Sequence, residues 1–222
     1  MVDTGAKSTY RIVHNSFDPL PPQIVKLLDS AATSLANEDE ALKKAFDNAK
    51  MPSFYAGVNH GLAYAVFETQ LVYAIFKSWI PMANVEWESK AYEGSPYRAD
   101  LAVCDDGSNT PSLVFEAKWW NFDFRYSNRQ KAAIDADIEK LSHLKATVGK
   151  YLLCFWWTEE SEFDKGIEEV KEYCHGVGKR SDVIAELVYH DAFTTDWTLN
   201  TGRSRVQKGL FVFAVLRIER DR

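Results

Sequence analysis

The chain has 222 residues, 46% hydrophobic and 26% charged, enough apolar material for one domain with a substantial core and ordinary for a soluble globular protein. A formal charge of −6 does not announce a nucleic-acid binder, and three widely spaced cysteines without CxxC spacing point to free thiols in a reducing cytoplasm rather than to a disulfide framework. The expectation is no signal peptide and no bilayer-spanning stretch, and the five histidines lack zinc-type spacing.

In chain order, the tail to about Phe17 is polar and reads as loosely ordered. Pro19, Pro21 and Pro22 then lead into a segment where Ile24, Leu27, Leu28, Ala31 and Leu35 recur at helical spacing, with a second helix expected from Asn37 and an end at Met51-Pro52. Residues 1–58 therefore read as a tail and helical extension, and residues 59–222 as the core domain, the two forming one compact unit. The next helix, predicted over residues 62–79, is apolar almost all round, which implies burial between other elements. Glu68 is the one acid in it, and a buried carboxylate needs a partner, because leaving it unpaired is costly.

Val85, Glu86, Trp87 and Glu88 read as a first strand, with both acids on one face. Residues 97–118 read as a hairpin: Ala99, Leu101 and Val103 alternate in one arm, Leu113, Phe115 and Ala117 in the other, around a loop dense in turn formers. A loop symmetric about Ser108 sets Asp100 opposite Glu116, with Cβ atoms roughly 4.5–5.5 Å apart, where like charges repel. Lys118 faces the same way as Glu116. A divalent cation held between the two carboxylates resolves that repulsion, since Mg²⁺ takes oxygen ligands and keeps several waters; the simpler alternative is a Lys118 that neutralises one acid and leaves the other to solvent.

After Lys118, the aromatics Trp119, Trp120, Phe122, Phe124 and Tyr126 interleave with Asn121, Arg125, Asn128 and Arg129, a pattern that stacks on bases or else packs under a loop. Residues 130–148 are predicted helical, with Ile134, Ile138 and Leu141 on one side and Asp135, Asp137, Glu139 and Lys140 around them. The run from Tyr151 to Trp157 is continuously apolar, as in a buried central strand. Beyond it come an acidic helix over residues 160–174, a strand over residues 183–190, a loop carrying Arg203, Arg205 and Lys208, and a last strand over residues 210–218. The basic C-terminal segment and the acidic helix are compatible with a basic cleft remote from an acidic face, or with two solvated surfaces.

Asp100, followed after fifteen residues by Glu116-Ala117-Lys118 at the end of an apolar strand, resembles the signature of the PD-(D/E)XK nuclease superfamily. Ala99 stands where the motif's name has proline, and the predicted order of helix, three strands, helix and strand matches that family's core. The resemblance implies an α/β, restriction-endonuclease-like α-β-β-β-α-β core with a mixed central sheet flanked by helices, behind an N-terminal helical extension. It implies a metal-dependent nuclease, foremost a DNA endonuclease of restriction, defence or repair type, working as a homodimer if it cuts both strands. Mg²⁺, or Mn²⁺ in its place, would be held by Asp100, Glu116, Glu68 and the carbonyl of Ala117, with Lys118 completing the catalytic set. Gln130 and Lys140 are candidates to face a phosphate, joined as nucleic-acid contacts by Arg125, Arg129, Trp119, Arg203, Arg205 and Lys208. The branch with a Gln-x-x-x-Tyr pair is not matched, because Ile134 stands at the tyrosine position. The alternative is a catalytically inactive member of the fold that binds nucleic acid or a protein partner.

Overall fold

A computed structural model of the chain describes residues 8–12, 19–49, 67–105, 107–120, 127–178, 182–195 and 209–220. Its elements are β1 (Ser8–Ile12), α1 (Pro22–Ala49), α2 (Glu68–Trp79), β2 (Asn84–Ser89), β3 (Ala99–Cys104), β4 (Pro111–Trp119), α3 (Ser127–Ser142), β5 (Gly149–Glu159), a 3₁₀ turn (Glu160–Glu162), α4 (Phe163–Gly178), β6 (Val183–Thr195) and β7 (Gly209–Arg220). The strands form one sheet in the order β1-β6-β7-β5-β4-β3-β2, so the architecture is α/β with a mixed sheet. Among the described residues only β4 and β5 pair in parallel, and a parallel pair needs a long crossover, which α3 supplies.

The alternation along the strands sorts side chains between two helical layers. Phe115 and Ala117 of β4, Leu153 and Phe155 of β5, and Leu101 and Val103 of β3 point to α1 and α2. Val114, Leu152, Cys154 and Ala102 point the other way, to α3 and α4. Burying fully one of the larger of these, a Val, Leu or Phe, contributes roughly 1.5–3 kcal/mol, so both faces of the central strands are held by packing. The Trp79 indole, fully buried, donates to the Leu27 carbonyl at 2.7 Å and ties α2 to α1. The predicted helix, three strands, helix and strand are found in that order as α2, β2, β3, β4, α3 and β5.

Several local expectations differ from what is found. One uninterrupted helix, α1, runs through Asn37, because Leu27, Leu28, Ala31, Ala32 and Leu35 continue into the buried Asp39 without a breaking residue. The tail contains a strand, β1, paired antiparallel to β6. Helix α2 begins at Glu68, with Phe67 as its N-cap, so Glu68 sits at the helix N-terminus rather than mid-helix. There the aligned peptide dipoles favour a negative charge. No helix among the described residues is long and apolar enough to cross a membrane, and the three cysteines are free and buried.

Candidate functional site

The β3–β4 ladder pairs Leu101 with Phe115 and Ala102 with Val114, and one further step of the same register sets Asp100 against Glu116. Both lie on the sheet face covered by α3, where Val114 and Ala102 pack. Asp100 Oδ2 accepts the Ala117 N–H at 2.7 Å, which fixes its carboxylate across the strand pair. Glu116 is buried, and its Oε1 accepts from the Tyr92 hydroxyl at 2.5 Å and from Lys140 Nζ at 3.2 Å. Asp100 Oδ1 and Glu116 Oε2 have no hydrogen-bonding partner among the described residues.

Lys118 projects on the same face and is held by three acceptors. Its Nζ lies 2.9 Å from Asp137 Oδ2, 3.3 Å from Glu68 Oε1 and 2.8 Å from the Ala117 carbonyl. Asp137 also reaches Lys140, at 2.5 Å through Oδ1. Glu68 completes its own coordination by accepting the Trp119 N–H at 3.0 Å. The result is a chain of charges running Glu68, Lys118, Asp137, Lys140, Glu116, with Tyr92 at its end and Asp100 beside it. Four carboxylates stand against two ammonium groups, a formal excess of two negative charges.

The titration behaviour follows from burial together with that excess. Burial first, and then the charge of Asp100, push the Glu116 carboxyl up to about 7, although Tyr92 and Lys140 pull the other way. Burial also raises Glu68, against the opposing pull of Lys118 and the Trp119 N–H. For Lys118, burial disfavours the charged form, but Glu68, Asp137 and Asp100 outweigh it and the pKa rises. Lys118 is thus a firmly charged lysine beside a carboxyl poised to titrate near neutrality.

Of the residues expected at the site, Asp100, Glu116, Lys118, Glu68 and Lys140 are brought together. Glu68 and the Ala117 carbonyl, expected to hold a cation, instead hold Lys118. Among the described residues no group of three or more His, Cys, Asp or Glu is arranged to hold a metal ion. What remains is a pair of facing carboxylates, each with one open oxygen, and a pair suits Mg²⁺, which is commonly held by one or two carboxylates and keeps its waters. Gln130 is half-buried, and its Oε1 is unsatisfied among the described residues, so it does not bond to the cluster through that oxygen; Arg129 is exposed. Trp119 meets Phe155 and Phe211 edge-on, and Trp120 meets Tyr173 edge-on, so both belong to the core aromatics. Arg125, Arg203, Arg205 and Lys208 lie outside the described residues. Of the C-terminal basic residues, Arg217 pairs with Glu186 and Glu219, and Arg220 with Asp182, which removes them from any free basic cleft.

The sequence reading does not single out Asp137 and Tyr92. Asp137 falls at i+3 from Ile134 on the buried stripe that continues through Ile138 and Leu141, and a lone acid on such a stripe is a signal that could have found it. Tyr92 lies in the β2–β3 connection, where no periodicity points to it. Glu86 and Glu88 take no part: Glu86 accepts from Ser89, and Glu88 has φ near 50°, which breaks the strand's alternation.

Comparison with protein-family models, curated proteins and solved structures finds no match to this chain.

Proposed function

We propose that the protein is a metal-dependent nuclease that hydrolyses phosphodiester bonds, with DNA as its substrate, and that it acts as a homodimer where both strands are cut. The observation that carries this reading is the open carboxylate pair of Asp100 and Glu116 beside a Lys118 fixed by its own acids. A structural ion pair has no use for two facing acids, one of which is raised to about 7 by burial first and then by the charge of the other. The order α2, β2, β3, β4, α3, β5 supports the resemblance to the PD-(D/E)XK superfamily.

In this reading Asp100 and Glu116 would hold Mg²⁺, or Mn²⁺ in its place, and the ion would supply Lewis acidity toward the scissile phosphate and a bound water of lowered pKa. Ala117 N–H keeps the Asp100 carboxylate oriented, and the Tyr92 hydroxyl does the same for Glu116. Lys118 orients the attacking water and stabilises negative charge that develops on the phosphate. Asp137 and Glu68 set its ammonium before substrate arrives, so no reorganisation is needed in the transition state.

A second reading, a non-catalytic nucleic-acid or protein binder, is favoured by one observation: both lysines already satisfy acids of the cluster. The two separate on a substrate panel. Duplex, single-stranded and branched DNA and RNA are incubated with Mg²⁺, Mn²⁺ or EDTA. Cleavage that requires the metal supports the nuclease, with duplex or branched DNA the expected substrate. Binding without cleavage of any of the four overturns it.

A further inference from the structure

Lys118 and Lys140 look alike as counter-ions of an acidic cluster, but their partners differ. Lys118 touches neither Asp100 nor Glu116; its acceptors are Glu68, Asp137 and the Ala117 carbonyl. Lys140 alone sits on a carboxylate of the facing pair, 3.2 Å from Glu116 Oε1. We infer that Lys140 is the resident counter-ion of Glu116, and that a divalent cation enters between Asp100 and Glu116 by displacing it. The inference rests on the metal-dependent reading above and adds a gate to that site.

Two observations favour an exchange over a static ion pair. The first is that leaving strands no buried charge: Glu116 keeps the Tyr92 hydroxyl, and Asp137 keeps Lys118 at 2.9 Å. The second is that Lys140 has somewhere to go. Its side chain is 28% exposed, and its Nζ lies 5.8 Å from the ring centroids of both Tyr92 and Tyr97, close enough for cation–π attraction. Tyr97 is exposed at the surface, so a lysine released from Glu116 stays anchored to Asp137 and the rings at the mouth of the site. An ammonium and a divalent cation on the same carboxylate repel one another with twice the strength of a unit pair, which makes simultaneous occupancy unfavourable.

The test is calorimetric titration of Mn²⁺ into the wild type, Lys140→Met and Lys145→Met without nucleic acid, beside amine-reactive labelling of the wild type read residue by residue with and without saturating Mn²⁺. Lys145, exposed and paired with Glu93, reports the effect of removing a charge that holds no site acid. The exchange predicts that Lys140→Met binds Mn²⁺ at least about tenfold more tightly than the wild type, with Lys145→Met far closer to it. It predicts that Mn²⁺ raises labelling of Lys140 several-fold and leaves Lys118 as it was. Equal or weaker affinity in Lys140→Met, an equal gain in Lys145→Met, or unchanged Lys140 labelling at saturating Mn²⁺ overturns the gate while leaving the metal-dependent reading standing. Absence of Mn²⁺ binding in all three proteins removes both. Should Lys140→Met fail to fold, the labelling of the wild type decides alone.

Discussion

Asp100 faces Glu116 across the β3–β4 ladder, and its Oδ2 takes the Ala117 N–H at 2.7 Å, so the repulsion between the two acids is built into the strand register. Side-chain motion alone does not relieve it. Asp100→Asn removes the charge while keeping an acceptor for Ala117. The variant is expected to lose nuclease activity and yet, in EDTA, to match or exceed the wild type in stability by about 1 kcal/mol. Thermal melts in EDTA check this, and a loss above about 2 kcal/mol would show instead that the Asp100 charge is structural.

The raised Glu116 carboxyl makes the metal-free protein less stable as pH rises. Between 4.5 and about 7 the folded state holds a proton that the unfolded state releases, so unfolding releases protons and its free energy falls with pH. The contribution is fully present below pH 4.5, lost as pH passes about 7, and amounts to at most roughly 3 kcal/mol. Asp100 and Tyr92 face the group from β3 and the β2–β3 connection, Asp137 and Lys140 from α3. Urea denaturation in EDTA at intervals across this range is expected to show the decline in the wild type and a flatter profile in Glu116→Gln. Addition of Mg²⁺ is expected to reverse the decline if, as proposed, it binds the deprotonated pair.

Asp137 is the hinge of the charge chain, since it alone contacts both lysines. Its removal leaves Glu68 as the one acid on Lys118 and Glu116 as the one acid on Lys140 among the described residues, in a region that is mostly buried. Asp137→Ala is expected to destabilise by roughly 3 kcal/mol, the cost of breaking a buried ion pair from one side. Chemical denaturation measures it; a loss below about 1 kcal/mol would place the network in solvent.

The fold was legible where periodicity was strong. Alternation in the two hairpin arms and the apolar run from Tyr151 to Trp157 located β3, β4 and β5, and the symmetric loop around Ser108 predicted the register that sets Asp100 against Glu116. The helix layer was read less well. Glu68 looked like an acid buried mid-helix because the apolar residues before it continue the pattern, whereas Phe67 caps the helix and puts Glu68 at its first turn. The lysine network was invisible in the hairpin, because it depends on where the α3 crossover lays Asp137 and Lys140 over β4. Tyr92 reaches Glu116 from a connection whose path no pattern encodes.

Glu68 discriminates a positioning role from a metal-ligating one. Because its oxygens meet Lys118 and the Trp119 N–H, Glu68→Gln is expected to leave Mn²⁺ affinity within about twofold of the wild type while lowering kcat by roughly tenfold or more. Calorimetry beside steady-state cleavage separates the two. A large loss of Mn²⁺ affinity would make Glu68 a ligand after all.

The most direct test of the account is cleavage of supercoiled plasmid by the wild type, Asp100→Ala and Lys118→Ala at low salt with Mg²⁺, each beside an EDTA control. The account predicts nicked or linear product from the wild type alone, abolished by EDTA and lost in both variants although both remain folded. No cleavage by the wild type, or cleavage that persists in Asp100→Ala, would contradict hydrolysis at the Asp100–Glu116 pair.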